Sequence, residues 1–271
     1  LYDILSDHPD VCLSKEKEID FFSYHFDFGH QWYEQQFPNQ SDYLAVGEVS
    51  PSYFHGEEVP ARVRDYDEAM RLIVFLRDPV QRAISNHKHE VRTGHLSGKD
   101  LSFEFGLQNN PQYLDQGCYA THLQRWLDFF PREQILVVLF DEIIADGASV
   151  ARRIYQFLDI DVAHISAALE ERSNPSYVNR SGSLEQGKNT IRTILRALQL
   201  GGIWEFFGKL GLRSAYRSVN RLDPGAVIPP LQSQTLDFLQ EYFVDEINRL
   251  EGLAGLRLNA WRKPGKERAH G

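Results

Sequence analysis

Arg71-Leu72-Ile73-Val74-Phe75-Leu76-Arg77-Asp78-Pro79-Val80-Gln81-Arg82-Ala83-Ile84-Ser85 contains, in order, a strand, its stop and the start of a helix. The five apolar residues at 72–76 suit a parallel strand covered on both faces. Asp78 followed by Pro79 is an N-cap with proline in the first turn, so the strand ends at Arg77 and a helix takes over. This order brings an arginine to a helix N-terminus, where α/β proteins hold phosphates. Ser85, seven residues beyond Asp78, returns to the same helix face about 10 Å along the axis, within reach of one anion shared with the long Arg77 side chain. An ion pair between Arg77 and Asp78 or a neighbouring carboxylate is the competing reading.

Outward from this stretch, strands alternate with helices. Residues 134–140 form a second buried apolar run and 43–49 a shorter one, while helical spacing predicts helices over 29–37, 57–65, 79–92, 115–129, 149–158 and 231–250. Such alternation implies a central parallel sheet flanked by helices. Residues 1–7 read as the remainder of a helix already under way. No repeat and no composition shift marks a second domain, so 1–271 is read as one domain.

With 271 residues, 42% of them hydrophobic and 12% aromatic, the chain can bury a substantial core. Its net charge of −9 argues against a general nucleic-acid binder. The balance is uneven: residues 180–221 carry eight Lys/Arg against Glu185 and Glu205, and 184–222 read as a basic helical segment. No apolar stretch approaches the roughly 20 residues of a membrane span, and nothing resembles a signal peptide, so a cytoplasmic location is expected. Cys12 and Cys118 lack metal-ligand spacing and are expected to be buried free thiols.

Gly47-Glu48-Val49-Ser50-Pro51-Ser52-Tyr53-Phe54 sets an acidic residue at a strand end before a proline-enforced turn, on a strand that is a candidate neighbour of the Arg77 strand. Glu48 is a candidate general base if burial raises its pKa, and a structural salt bridge is the alternative. Gly182-Ser183-Leu184-Glu185-Gln186-Gly187-Lys188-Asn189 imitates a phosphate-binding loop, but Asn189 replaces the magnesium-binding hydroxyl and no buried strand precedes it. A basic loop closing over a ligand suits it better. His87 and His89, two apart on a helix, point to different sides, so they are read as surface histidines rather than metal ligands. No nucleophile stands in an activation motif.

Taken together, these motifs resemble the sulfotransferases that use 3′-phosphoadenosine 5′-phosphosulfate (PAPS), in particular the heparan sulfate branch and its bacterial relatives. The resemblance runs from Leu1-Tyr2-Asp3-Ile4-Leu5-Ser6-Asp7-His8-Pro9 through Lys17-Glu18-Ile19-Asp20-Phe21-Phe22, the Glu48 motif and Leu76-Arg77-Asp78-Pro79 with Arg82 and Ser85. It continues to Gly117-Cys118-Tyr119-Ala120-Thr121-His122-Leu123-Gln124-Arg125-Trp126 and the terminal helix near Trp261. The resemblance implies a P-loop-NTPase-like α/β fold and in-line transfer of a sulfuryl group from PAPS to an acceptor hydroxyl or amine, without a metal. Adenosine 3′,5′-bisphosphate is the implied product, and a glycan or small molecule the implied acceptor.

By the same resemblance, Arg77 and Ser85 hold the 3′-phosphate, Glu48 is the base, Glu18 lines the acceptor side, and Lys188 or Arg180 belongs to a basic loop covering the nucleotide. In the family a first strand and a glycine-rich loop with lysine and threonine or serine, which grip the 5′-phosphosulfate, precede the residues matching Leu1. They are absent from this sequence, and a chain trimmed at its start is the expectation. The alternatives are a non-catalytic nucleotide or anionic-carrier module and an ATP-dependent phosphotransferase using the 182–188 loop.

Overall fold

The computed structural model describes residues 1–169 and 227–262, together with the backbone of short strands at 178–179 and 221–222. In chain order its described α-helices are α1 (Tyr2–Leu5), α2 (Phe21–Tyr24), α3 (His30–Glu34), α4 (Val59–Tyr66), α5 (Pro79–Thr93), α6 (Phe103–Asn109), α7 (Gln112–Asp115), α8 (Tyr119–Leu127), α9 (Phe140–Leu158), α10 (Ser233–Tyr242) and α11 (Val244–Ala254). Chain contacts divide the described residues into two compact units, 1–78 with 118–169 and 244–262, and 79–117 with 178–179, 221–222 and 227–243.

The first unit holds the parallel strands. β1 (Val11–Leu13) pairs with β2 (Ala45–Gly47), bringing Leu13 opposite Gly47. β3 (Leu72–Leu76) pairs with β4 (Ile135–Leu139) in register from Leu72 opposite Ile135 to Leu76 opposite Leu139. Among the described residues no ladder joins β2 to β3, so the Glu48 strand is bonded to β1 and not to the Arg77 strand. For the same reason β3 departs from its expected cover: with one bonded neighbour, residues 72–75 are only half-buried and Leu76 alone is fully inside.

One core unites the strands. Val150, Ile154 and Tyr155 of α9 pack with Val138 of β4, Val11 of β1 and Ile4 and Leu5 of α1. Each such buried side chain contributes about 1.5–3 kcal/mol relative to exposure. α9 begins directly after β4 and is longer than the periodicity predicts. At Asp146 the backbone leaves the helix (φ −155°, ψ 82°), and the Asp146 carboxylate accepts the Ser149 amide at 3.0 Å. The expected start near 149 therefore marks the second of two merged segments, capped from within. The first segment is anchored by Glu142, which accepts the Leu139 amide at 2.9 Å and pairs with Arg153 at 2.7 Å.

α8 is fastened to α11, where Glu246 accepts the Thr121 amide and hydroxyl at 3.0 and 2.8 Å and pairs with Arg249 at 2.7 Å. The single helix expected over 231–250 is two, α10 and α11, parted at Phe243 (φ −87°, ψ −1°), and the boundary between the units falls there.

In the second unit, α5 to α7 and α10 accompany an antiparallel pair, β5 (Val178–Asn179) and β6 (Arg221–Leu222). His87 corrects the surface reading: it is 1% exposed, with Nδ1 2.7 Å from the Tyr113 hydroxyl and Nε2 3.0 Å from the Leu101 carbonyl. Its partners come from distant sequence, which helical spacing cannot reveal. The helix predicted over 115–129 is interrupted at Gly117, where a Cβ would stand 2.6 Å from the Phe243 ring. Cys12 is buried and Cys118 half-buried, both as free thiols. No helix among the described residues is long and apolar enough to cross a membrane.

Candidate active site

Parallel β1 and β2 end side by side, so the segments that leave them are neighbours, and such strand ends are where α/β sheets open a crevice. The Ser14 amide donates to the Gly47 carbonyl at 3.1 Å, and the Glu18 amide to the Val49 carbonyl at 3.2 Å. Two motifs thirty residues apart in sequence thus become one edge. The chain bends sharply there: Glu18 (φ 56°) and Asp20 (φ 50°) both take left-handed backbone. Non-glycine residues in that region store about 1–3 kcal/mol each, a cost that concentrates at functional sites.

Glu48 is the hub of this edge. Its Oε1 accepts the Tyr53 hydroxyl and its Oε2 the Ser50 hydroxyl, both at 2.5 Å, and the Tyr33 phenol lies close enough to lower its pKa. Burial holds the Glu48 carboxyl above the ordinary carboxylate range; the three hydroxyls pull it down and the nearby Asp20 charge pushes it up. Burial, with the Glu48 charge behind it, raises the Tyr33 and Tyr53 phenols far above neutrality, so both remain donors. The turn around Pro51 is stitched to the neighbouring segment: Asp20 Oδ1 accepts the Ser52 hydroxyl at 2.5 Å, its amide donates to Ser50 Oγ at 3.1 Å, and Ser23 and Ser52 share a bond of 2.8 Å. Among the described residues no cation pairs with Glu48, so the competing salt-bridge reading finds no partner there.

Glu18 is different. It is exposed, and among the described residues its carboxylate accepts no hydrogen bond and pairs with no cation.

The hydroxyls around Glu48 were legible only as spacing. Ser50, Ser52 and Tyr53 follow Glu48 within five residues, but Tyr33 and Asp20 join through the fold alone. The α8 motif holds this loop from behind: Trp126 Nε1 donates to the Phe54 carbonyl and Arg125 to the His55 carbonyl, each at 3.2 Å, and buried His122 lies edge-on to Phe54.

Arg77 lies one residue past β3, in the same unit, half-buried, with its guanidinium 5.2 Å from the centre of the Phe140 ring. Leu76 and Leu139 are the last paired residues of β3 and β4, so Arg77 and Phe140 are one step beyond the ladder. Among the described residues Arg77 makes no hydrogen bond or ion pair, so the carboxylate pairing held as its alternative is not realised. A half-buried guanidinium in this state fits an anionic ligand. Ser85 is exposed on α5, in the second unit. Arg180, Lys188, the 182–189 loop and nearly all of the basic segment 184–222 lie outside the described residues. No cluster of three or more metal-ligating side chains occurs among the described residues.

A family profile described as sulfotransferase domain matches residues 2–189. Human heparan sulfate glucosamine 3-O-sulfotransferase 3B1 is 36% identical over 166 residues, covering 59% of this chain and 42% of that protein. Mouse bifunctional heparan sulfate N-deacetylase/N-sulfotransferase 4 is 27% identical over 292 residues, covering 96% of this chain and 29% of that protein. The chain thus spans less than half the length of either relative. A crystal structure of a sulfotransferase from Alicyclobacillus acidocaldarius matches the fold with a TM-score of 0.68 and 22% identity, over 96% of this chain and 92% of that one.

Proposed function

The chain belongs to the sulfotransferase domain family, and from that premise we propose that it transfers a sulfuryl group from PAPS to a hydroxyl or amine of an acceptor. The observation that carries this reading is the pairing of two kinds of strand end in one unit. An acidic edge, Glu18 and Glu48, stands past the ends of β1 and β2, and past the end of β3 stands an arginine with no acidic partner among the described residues.

The donor supplies an activated sulfuryl group, and this chain's residues supply grip and proton transfer. Arg77 is our assignment for the 3′-phosphate, and Ser85 and a basic residue such as Arg180 or Lys188 are assigned to the nucleotide by the resemblance alone. In the reaction a bond forms between sulfur and the acceptor oxygen or nitrogen, the bond from sulfur to the bridging phosphate oxygen breaks, and the acceptor proton moves to a carboxylate. Glu48, raised towards neutrality by burial, is our assignment for that base. A second reading gives the proton to Glu18. What favours it is that hydroxyls already occupy both Glu48 oxygens, while the exposed Glu18 carboxylate has no such partner among the described residues.

The test is sulfate transfer from labelled PAPS to a panel of hydroxyl and amine acceptors, run beside Glu48→Gln, Glu18→Gln and Arg77→Ala. Transfer by the native chain, lost in at least one carboxylate variant that still binds adenosine 3′,5′-bisphosphate, is the expected result. Binding of the bisphosphate with no transfer to any acceptor would leave a non-catalytic nucleotide module.

A further inference from the structure

Beside the acidic edge stands a ridge of aromatic rings. Tyr24 and Phe28 are 66% and 57% exposed, unusual for large rings unless they await a partner. His25 stacks on Phe28 with ring centres 5.0 Å apart and planes 12° apart, and Phe28 meets Trp32 edge-on at 5.0 Å. The ridge leads towards Glu48: Trp32 lies against buried Phe21, Phe21 stacks on Tyr33 at 4.7 Å, and the Tyr33 phenol is near enough to influence the Glu48 carboxyl. It also begins within a turn of Asp20, whose carbonyl accepts the Tyr24 and His25 amides.

The surrounding charge is acidic. Between residues 15 and 48 there are seven carboxylates against Lys15 and Lys17. Both lysines are engaged, Lys15 with the Gln35 carbonyl at 3.0 Å and Lys17 with Asp3 at 2.6 Å and the Tyr2 ring. Arg62, the cation over the neighbouring Phe26 ring, donates to the Phe22 carbonyl and pairs with Glu58. Among the described residues this region therefore offers a sulfated ligand no uncommitted cation.

We infer that the ridge of Tyr24, His25, Phe28 and Trp32 is an acceptor subsite for an uncharged sugar ring. A sugar presents an apolar C–H face and a rim of hydroxyls. The rings match the face, and exposed carboxylates such as Glu18 and Asp27 accept the hydroxyls, whereas a polyanionic chain would be repelled. This inference rests on the transferase reading for the word acceptor, but not for binding.

Calorimetric titration of the full chain with a neutral β-linked glucose or N-acetylglucosamine oligosaccharide, an N-sulfated heparan hexasaccharide and 4-nitrophenol tests it without turnover. PAPS-dependent transfer to the same three gives the second readout. The neutral sugar is expected to bind tightest. Tyr24→Ala and Phe28→Ala, both exposed and outside the catalytic machinery, are expected to weaken it and raise its KM about tenfold. They should leave kcat and adenosine 3′,5′-bisphosphate affinity unchanged. Tighter binding of the hexasaccharide or the phenol, or sugar affinity unmoved by both variants, would overturn the subsite. Neutral-sugar binding that needs Tyr24 and Phe28, with no bisphosphate binding and no transfer, would keep the sugar site and sink the transferase reading instead.

Discussion

The two strand ends of the first unit have been built in opposite ways. At the β1–β2 edge the central acidic group is satisfied from within: Tyr53, Ser50 and Tyr33 surround Glu48, and Asp20 ties the turn in place. At the β3–β4 edge the contact seen for Arg77 among the described residues is the face of Phe140. Preorganisation explains the difference. A group that must stay put while a proton moves needs supports that do not change, whereas a group that must receive an anion needs its hydrogen bonds left open.

The largest effect is expected at the satisfied edge. Loss of the true base should lower kcat by roughly 10²–10⁴. Glu48→Gln turns an amide NH₂ towards hydroxyls that now donate, leaving a mismatched group and costing about 1–3 kcal/mol of stability as well. Glu18→Gln touches an exposed side chain and should leave thermal unfolding unchanged. Single-turnover rates beside melting curves separate the roles. A large kcat loss at unchanged melting temperature in Glu18→Gln, with only a stability loss in Glu48→Gln, would move the base to Glu18 and reduce Glu48 to a support.

Next in size is Arg77→Ala. Removal of a charged hydrogen bond to phosphate costs roughly 1.5–3 kcal/mol, about ten- to a hundredfold in affinity for adenosine 3′,5′-bisphosphate by calorimetry. Ser85→Ala, the loss of a neutral donor, should cost less. Unchanged affinity in Arg77→Ala would break the contrast between the edges, because the guanidinium would then be idle.

The contrast was half legible in the sequence. Leu72 to Leu76 closed by Arg77-Asp78-Pro79 announces its strand and helix locally, through an apolar run and a proline. The acidic edge depends on β1, three residues long and too short to show a period, so its pairing with β2 and the meeting of Glu18 with Val49 are tertiary facts. The same limit hid the aromatic ridge: Phe21, Phe22 and Phe28 look alike in sequence, yet the first two are buried and Phe28 is not. His87 was misread because its partners, Tyr113 and Leu101, are supplied from 26 and 14 residues away.

A smaller effect probes how the satisfied edge sets its own acidity. The base works as the carboxylate, so turnover should rise as pH climbs through the elevated pKa of Glu48. Tyr53→Phe removes a donor that stabilises the charged form, so the rising limb of kcat against pH should move to higher pH. Asp20→Asn removes a charge that opposes ionisation, so the limb should move to lower pH. If neither substitution moves it, the limb belongs to a group other than Glu48.

The smallest effect belongs to Phe140, whose ring face lies beside Arg77. Phe140→Leu keeps apolar bulk and removes the π face, and a cation–π contact at a partly exposed site contributes about 0.5–1 kcal/mol. Bisphosphate affinity should therefore fall only about two- to fivefold. If the ring acts by orienting the guanidinium, its loss adds nothing once Arg77 is alanine, and the double variant should match Arg77→Ala. Additive losses would mean that Phe140 touches the nucleotide itself, and the open edge would then be an aromatic shelf as much as a charged one.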